Sequence, residues 1–341
     1  MRQLTCQKAG LIEWHDVPAP RLEADSQALV RPLAVARCDI DRFLGLGLIA
    51  SKQPFALGHE CIAEIVALGD AVRSFEIGQR VLVSFQMSCG TCRACLARHS
   101  GNCAAFPEFA GYGMQPLSGT EYGGMLSEVV RVPFANCMLH AVREGLDAVT
   151  LASAADNVLD GYRAVAPHLA AQPGAEVLIV SHGYPSIPLY AAQAAIALGA
   201  SRVDFVSGDA EQLALAERLG AHVQWSDFKD PERSYPIVVD AGVLATGVRY
   251  AIAATEPEGV CQSVSFFPAR DVGLPFGRMY TRGIRLFIGR AHSSALLPEL
   301  LPLLETRRLR PEEITSRVVG WRDAPKAFLE PAIKLVVQMT D

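Results

Sequence analysis

Residues 177–190 read VLIVSHGYPSIPLY, and the architecture of the second half of the chain turns on them. The run EVLIVS is apolar and β-branched and predicts a buried strand; HGYPSIP carries the glycine and prolines of a turn, and LYAAQAAIALGA continues as a helix. The alternation repeats on both sides. YRAVAPHLAA predicts a helix before it; RVDFVS, AEQLALAERLGA and PIVVDAG follow as strand, helix and strand. Strands alternating with helices of about a dozen residues predict a parallel, doubly wound sheet, an architecture that binds dinucleotides.

The pattern is different before Gly161. ALVRPLAVAR, ECIAEIVALG, RVLVSF and LSEVVRVP are short strand-like runs separated by Gly, Pro and polar turns, which predicts a β-rich, barrel-like region. Beyond Gly289, LLPELLPLLETRRL predicts an amphipathic helix, and RVVGW, DAPKAFLE and KLVVQM return the chain to the first domain. The expected division is 1–160 with 290–341, and 161–289.

A chain of 341 residues, half of them hydrophobic and a fifth charged, can fill two cores of roughly 150 residues each. A net charge of -5 with no basic cluster argues against nucleic acid and against an anionic membrane surface, so the expected partner is a small molecule. The first residues, MRQLTCQKAGLIEWHDV, contain no signal-peptide core, and no apolar run approaches the roughly 18 residues of a membrane span. A cytoplasmic location is expected.

Four of the nine cysteines crowd into MSCGTCRACLARHSGNC, where Cys89, Cys92, Cys95 and Cys103 form C-x2-C-x2-C-x7-C. Four thiolates at such intervals can close a tetrahedral structural zinc site within one loop, with an iron–sulfur cluster as the rival and no catalytic role expected. Cys38 in VARCDID and His59 in LGHE each end or begin a strand-like run, with Glu60 beside the histidine. One thiol and one imidazole from separate loops suit a catalytic zinc with an open coordination place.

Taken together, GHE, the four-cysteine lobe and a strand–turn–helix unit ending in LGA resemble the zinc-containing medium-chain dehydrogenases, the alcohol dehydrogenase superfamily, over nearly the whole chain. The resemblance implies an α/β chain, with a GroES-like β-rich catalytic domain and a Rossmann doubly wound domain. It implies two zinc ions per chain and NAD or NADP, and hydride transfer between that cofactor and a small alcohol, aldehyde or ketone. Cys38 and His59 match two catalytic zinc ligands, Glu60 the adjacent carboxylate, and Asp41 the carboxylate that orients the ligand histidine. The third ligand position, counted back from Tyr162 in ASAADNVLDGYRAV, is Asp156, as in the branch with bacterial secondary alcohol dehydrogenases and glutathione-independent formaldehyde dehydrogenases; an ordinary helix cap is the other reading of Asp156. Where the family carries a relay hydroxyl two residues after the cysteine, this chain has Ile40, which cannot pass a proton; either water or another group does so, with Asp39 and Glu60 as candidates, or the reaction differs from simple alcohol oxidation.

The turn departs from the family as well. Aligned on Gln193, its three glycine positions hold Gly183, Pro185 and Pro188. Gly183 keeps the tight turn; Pro185 removes an N–H where the pyrophosphate would approach, whereas Pro188 falls where a missing N–H is harmless. Gly183, Tyr184, Pro185, Ser186 and Ile187 are the expected cofactor-facing residues, with Ser207 where the family carries a ribose-binding acid and Asp209 two residues on. Two rival readings follow from these changes: a zinc-dependent redox-neutral enzyme, and a non-catalytic scaffold. The resemblance places Arg290 and Lys334 where this family often brings cationic side chains toward the cofactor, whereas by themselves both read as solvated surface charges; Tyr280 and Arg282 read as interface or cleft residues, and His182 as a side chain next to the turn. The family implies a homo-oligomer, a dimer or tetramer.

Overall fold

The structure, a computed structural model, describes residues 1–49, 52–266 and 271–339. The chain divides into two compact units, Met1–Leu159 with Ala291–Asp341, and Asp160–Arg290.

The first unit is built on a sheet in the order Arg317–Gly320, Leu335–Gln338, Ala28–Ala36, Glu60–Leu68, Arg80–Val83, Leu139–Ala141, with Val130–Val132 also paired to Ala28–Ala36. Except for the parallel first pair, these ladders are antiparallel. Pro32 lies inside the long strand, and the register shifts between Pro32 and Ala34, so the missing donor falls at a bulge and the ladder continues past it. A smaller sheet joins Arg2–Lys8 to Leu11–Asp16 and Phe55–Ala56. LSEVVRVP is strand only over Val130–Val132, because Leu126 bonds to Leu4 and Leu57 and Ser127 bridges to Gln3. Val30, Val35, Ile65, Val81, Val83 and Phe328 are among the side chains of its core.

His140 lies on the strand beside Leu82, and its Nε2 makes no hydrogen bond among the described residues. Burial pushes its imidazole down to about 4. Above pH ~6.5 the ring is neutral in both the folded and the unfolded chain. Between pH ~6.5 and ~4 the unfolded chain takes up a proton that the folded chain refuses, so stability drops as the pH is lowered through that window, by about 3.4 kcal/mol at most. His140→Leu is expected to flatten that part of the decline, as measured by urea unfolding at pH steps through the window.

The second unit carries a six-stranded sheet in the order His222–Trp225, Val203–Ser207, Val177–His182, Tyr235–Gly242, Thr255–Ser263, Arg285–Ile288, every pair parallel. Numbered along the chain, this is the order 3-2-1-4-5-6 of a doubly wound dinucleotide fold, whose strand order reverses at the first strand, Val177–His182. That strand is buried over its full length, as a central parallel strand must be. Its turn leads into the helix Ile187–Ala197, nearly all of it buried. The helix Ala210–Arg218 is capped by Asp209, whose carboxylate accepts from the N–H groups of Glu211 and Gln212. Among the described residues no helix is long and apolar enough to cross a membrane.

Candidate active site

Sheet register assembles the site. Ala36 is paired with Glu60 on one side and with Val336 on the other. Cys38, His59 with Glu60, and Lys334 therefore stand at the same end of three adjacent strands. Asp156 and Asn157 join them at the start of the helix Asn157–Ala171. The ligand-capable atoms of Cys38, His59, Glu60 and Asp156 lie within 4.8 Å of one another, and all four residues are buried.

The contacts give each member a place. His59 directs Nε2 at Asp156 Oδ2, 3.2 Å away, and Nδ1 at Asp41 Oδ1, 3.4 Å away. Asp41 accepts from the Cys38 backbone N–H at 3.1 Å, which ties it to the cysteine loop, and it faces His59 at ion-pair distance without a hydrogen bond to Nδ1 among the described residues. Lys334 Nζ lies 2.7 Å from Glu60 Oε1, and the Asn157 backbone N–H donates to Glu60 Oε2 at 3.3 Å. Lys334 is 0% exposed, which corrects its reading as a solvated charge. A lysine inside the apolar run AIKLVV can be that deeply buried because Glu60 pairs it and Asn157 accepts its second proton. Arg290 is partly buried and Tyr280 lies open to solvent. Arg282 reaches Ser234.

The electrostatics describe a place short of positive charge. Burial, reinforced by Asp156, Glu60 and Asp41, pushes the Cys38 thiol well above its ordinary range. Burial also raises the Glu60 carboxyl, which stands at about 8 although Lys334 pulls it down. Burial opposes a charged His59, but Asp41 and Asp156 outweigh it and hold the imidazole at about 9. Burial disfavours the Asp156 carboxylate too, yet its hydrogen bond from His59 and that residue's charge keep it below the usual carboxylate range. Asp41, Glu60, Asp156 and a thiol thus face one lysine and one imidazole, and a divalent cation would balance them. A sulfur, an imidazole nitrogen and a carboxylate oxygen, with Glu60 held aside by Lys334, form a donor set that fits zinc with one coordination place left over.

The lobe from Cys89 to Cys103 forms a second group, its four sulfurs within 4.8 Å of one another. Backbone N–H groups already point at them: Cys89 donates to Cys103 Sγ at 3.3 Å and Cys92 to Cys89 Sγ at 3.4 Å. Gly90, at φ +77°, lets the chain turn between the first two cysteines. Burial works against a Cys89 thiolate, but the N–H and hydroxyl of Thr91 and the N–H of Cys92 bring it down to about 6. This donor set also fits zinc, with every place taken by sulfur. Cys95→Ser is expected to lower the metal content by one zinc per chain and to expose residues 88–105 to trypsin, as read by plasma emission and peptide mapping.

In the second unit, Gly183 adopts φ +122°, and a Cβ there would meet the Val243 side chain at 2.7 Å, so the residue kept from the glycine pattern is the one the turn requires. Pro185 precedes the helix and Pro188 lies in its first turn, so neither breaks it. Tyr184 is buried; its hydroxyl accepts from the Phe266 N–H at 2.8 Å, and its carbonyl accepts from Gln212 Nε2 at 2.7 Å. Ser207 is buried as well: it donates to Gln212 Oε1 at 2.9 Å and accepts from the Asp209 N–H at 3.1 Å. Its hydroxyl is turned into the turn's own network, which leaves Asp209 as the acid at this strand end. His182 does not face the turn as a loose side chain. Its Nε2 lies 2.6 Å from Asp240 Oδ1, and its Nδ1 accepts from the Leu244 N–H, which places the ring proton on Nε2.

Asn157 and Gln212 were not singled out from the sequence. Both are polar residues at helix starts, where capping is the ordinary reading, and only the tertiary contacts reveal that each ties several elements together.

Residues 24–142 match the alcohol dehydrogenase GroES-like domain. The zinc-type alcohol dehydrogenase-like protein YdjJ of Escherichia coli (strain K12) is 30% identical over 96% of this chain and 94% of its own length. The glutathione-independent formaldehyde dehydrogenase of Pseudomonas aeruginosa is 30% identical over 63% of this chain and 56% of its own. Among solved structures, the alcohol dehydrogenase TADH from Thermus sp. ATN1 superposes with a TM-score of 0.91 at 25% identity, covering 100% of both chains. With this similarity running along the chain, and with the buried Cys38–His59–Asp156 group and the 3-2-1-4-5-6 sheet, the protein belongs to the zinc-containing medium-chain dehydrogenases of the alcohol dehydrogenase superfamily.

Proposed function

We propose that Cys38, His59 and Asp156 hold a catalytic zinc, that Cys89, Cys92, Cys95 and Cys103 hold a structural one, and that the substrate is a small alcohol, aldehyde or ketone. The protein is a zinc-dependent oxidoreductase of the alcohol dehydrogenase type, working with zinc and NAD(P)(H). The observation that carries the ligand assignment is the buried group of Cys38, His59, Glu60 and Asp156, four ligand-capable atoms within 4.8 Å. Similarity to named dehydrogenases, with a nucleotide turn that keeps its strand, tight glycine and helix, disfavours the redox-neutral and scaffold readings.

Bound in these places, zinc would supply a Lewis acid for the substrate oxygen and the nicotinamide would supply or accept the hydride. The chain's own side chains prepare for that chemistry. Asp156 meets His59 Nε2 at 3.2 Å, and the Asp41 carboxylate on the other side of the ring, 3.4 Å from Nδ1, favours that orientation by charge. Lys334 and the Asn157 N–H hold both oxygens of Glu60 and so keep that carboxylate from closing the open place. Ile40 offers no hydroxyl, so proton transfer passes through a group other than residue 40. Glu60 belongs to the ligand cluster, and Asp39 is buried one residue beyond Cys38.

We also read the dinucleotide as NAD in preference to NADP. Asp209 carries a carboxylate two residues beyond Ser207, where it caps the following helix and would repel a 2′-phosphate brought to this strand end. NADH is expected to bind at least about tenfold more tightly than NADPH in a fluorescence titration, a gap of about 1.4 kcal/mol. Equal or tighter NADPH binding would refute this preference. The exposed Phe287 and Ile288 on the edge strand Arg285–Ile288 support the expectation of a homo-oligomer.

A further inference from the structure

Asn157 is fully buried, and its side chain touches the site at three points. Oδ1 accepts from Lys334 Nζ at 2.5 Å, while Nδ2 donates to Cys38 Sγ at 3.2 Å and to Asp156 Oδ2 at 3.1 Å. Lysine has donors and no acceptor, so the atom facing Nζ must be the oxygen and the amide is oriented without ambiguity. One NH2 group therefore donates to two of the three proposed zinc ligands, the thiol and the carboxylate.

We propose that Asn157 is a positioning residue of the metal centre: its amide, locked by Lys334, fixes Cys38 and Asp156 and lowers the electron density each gives to the metal. A hydrogen bond to an ionised acceptor is stronger than one between neutral groups, and it stabilises the lone pairs of the acceptor. Sulfur and carboxylate so bonded neutralise the metal less, which leaves it a stronger acid toward the substrate oxygen in the remaining place. Lys334 thus serves two ends of one device, holding Glu60 aside and turning the Asn157 amide toward the ligands.

The proposal rests on the assignment of Cys38, His59 and Asp156 as ligands, and the test separates the two. Cobalt(II) replaces zinc in the whole protein, and the difference spectrum against Cys38→Ser isolates the Cys38-to-cobalt charge-transfer band from that of the four-cysteine lobe. Two variants are compared with the parent. Asn157→Leu keeps the volume and loses every polar contact; Asn157→Asp keeps an acceptor for Lys334 and loses both donors.

In each variant that folds and binds cobalt, the band is expected to move to longer wavelength, because a thiolate without its N–H donor gives up charge more easily. The zinc forms are expected to lose about 10- to 100-fold in kcat/KM. A purely structural Asn157 would alter stability and cobalt occupancy without moving the band. An unmoved band in Asn157→Asp at full cobalt occupancy overturns the proposal. Absence in the parent of any band that Cys38→Ser removes overturns the ligand assignment, and the role of Asn157 falls with it.

Discussion

His59→Ala removes one of two zinc ions per chain and lowers kcat/KM by at least about 10³-fold. The magnitude follows from the role. A Lewis acid contributes several kcal/mol of charge stabilisation at the reacting oxygen, and each 1.36 kcal/mol is a factor of ten. Alanine also leaves Asp41 and Asp156, both buried, without the imidazole that bridges them, so the remaining thiol and carboxylate no longer make a three-ligand site. The lobe from Cys89 to Cys103 uses none of these residues and keeps its metal. Metal analysis and kinetics on the same preparation separate the two sites: one zinc retained with activity gone is the expected result, and full activity in the variant would sink the assignment.

Lys334→Met has the largest expected effect on stability, about 3–5 kcal/mol, the usual penalty for removing one partner of a buried ion pair. Methionine matches the length of the lysine, so packing changes little. What changes is that Glu60, 0% exposed, loses the group that draws its carboxyl down against burial. Asn157 loses the donor that orients its amide. Without Lys334, burial drives the Glu60 carboxyl to hold a proton, and adding Glu60→Gln supplies a neutral group in its place, so the double variant is expected to regain part of the loss, and a double-mutant cycle by denaturant unfolding should return a coupling of about 1.5 kcal/mol or more. A single variant within 1 kcal/mol of the parent, with no coupling, would mean that Lys334 and Glu60 are not paired as described.

The doubly wound unit was legible because continuous apolar, β-branched runs alternate with helix-forming stretches; EVLIVS, RVDFVS and PIVVDAG all fall in buried strands of the parallel sheet. Strands that break the pattern were missed. Thr255–Ser263 carries Glu256, Pro257, Glu258 and Gly259, and polar His222–Trp225 is an edge strand whose pairing comes from its neighbour and owes little to its own composition. Cysteine spacing within a single loop made the four-cysteine lobe visible, since all the geometry there is local.

The other metal group is assembled by register between strands distant in sequence. Cys38 and His59 stand out in the sequence as a thiol and an imidazole at strand ends, Asp156 only through resemblance to a family, and Lys334 reads there as a surface charge because nothing local says that Glu60 and Asn157 pair with it. Ser207 shows the same limit in the second unit. Its position in the sequence points to a ribose, whereas its hydroxyl is committed to Gln212 five residues on.

The central claim is that a chain with the Cys38 group and with a proline-bearing nucleotide turn transfers a hydride from NAD(P)H. Its most direct test is deuterium transfer: zinc-replete protein is incubated with each of the two C4-deuterated forms of NADH and a panel of small ketones and aldehydes, and the products are analysed by mass spectrometry. The prediction is that one form alone delivers deuterium to the carbinol carbon and that His59→Ala delivers none. A protein that holds both zinc ions, binds neither NADH nor NADPH and moves no deuterium would contradict the account and turn attention to redox-neutral chemistry at the zinc.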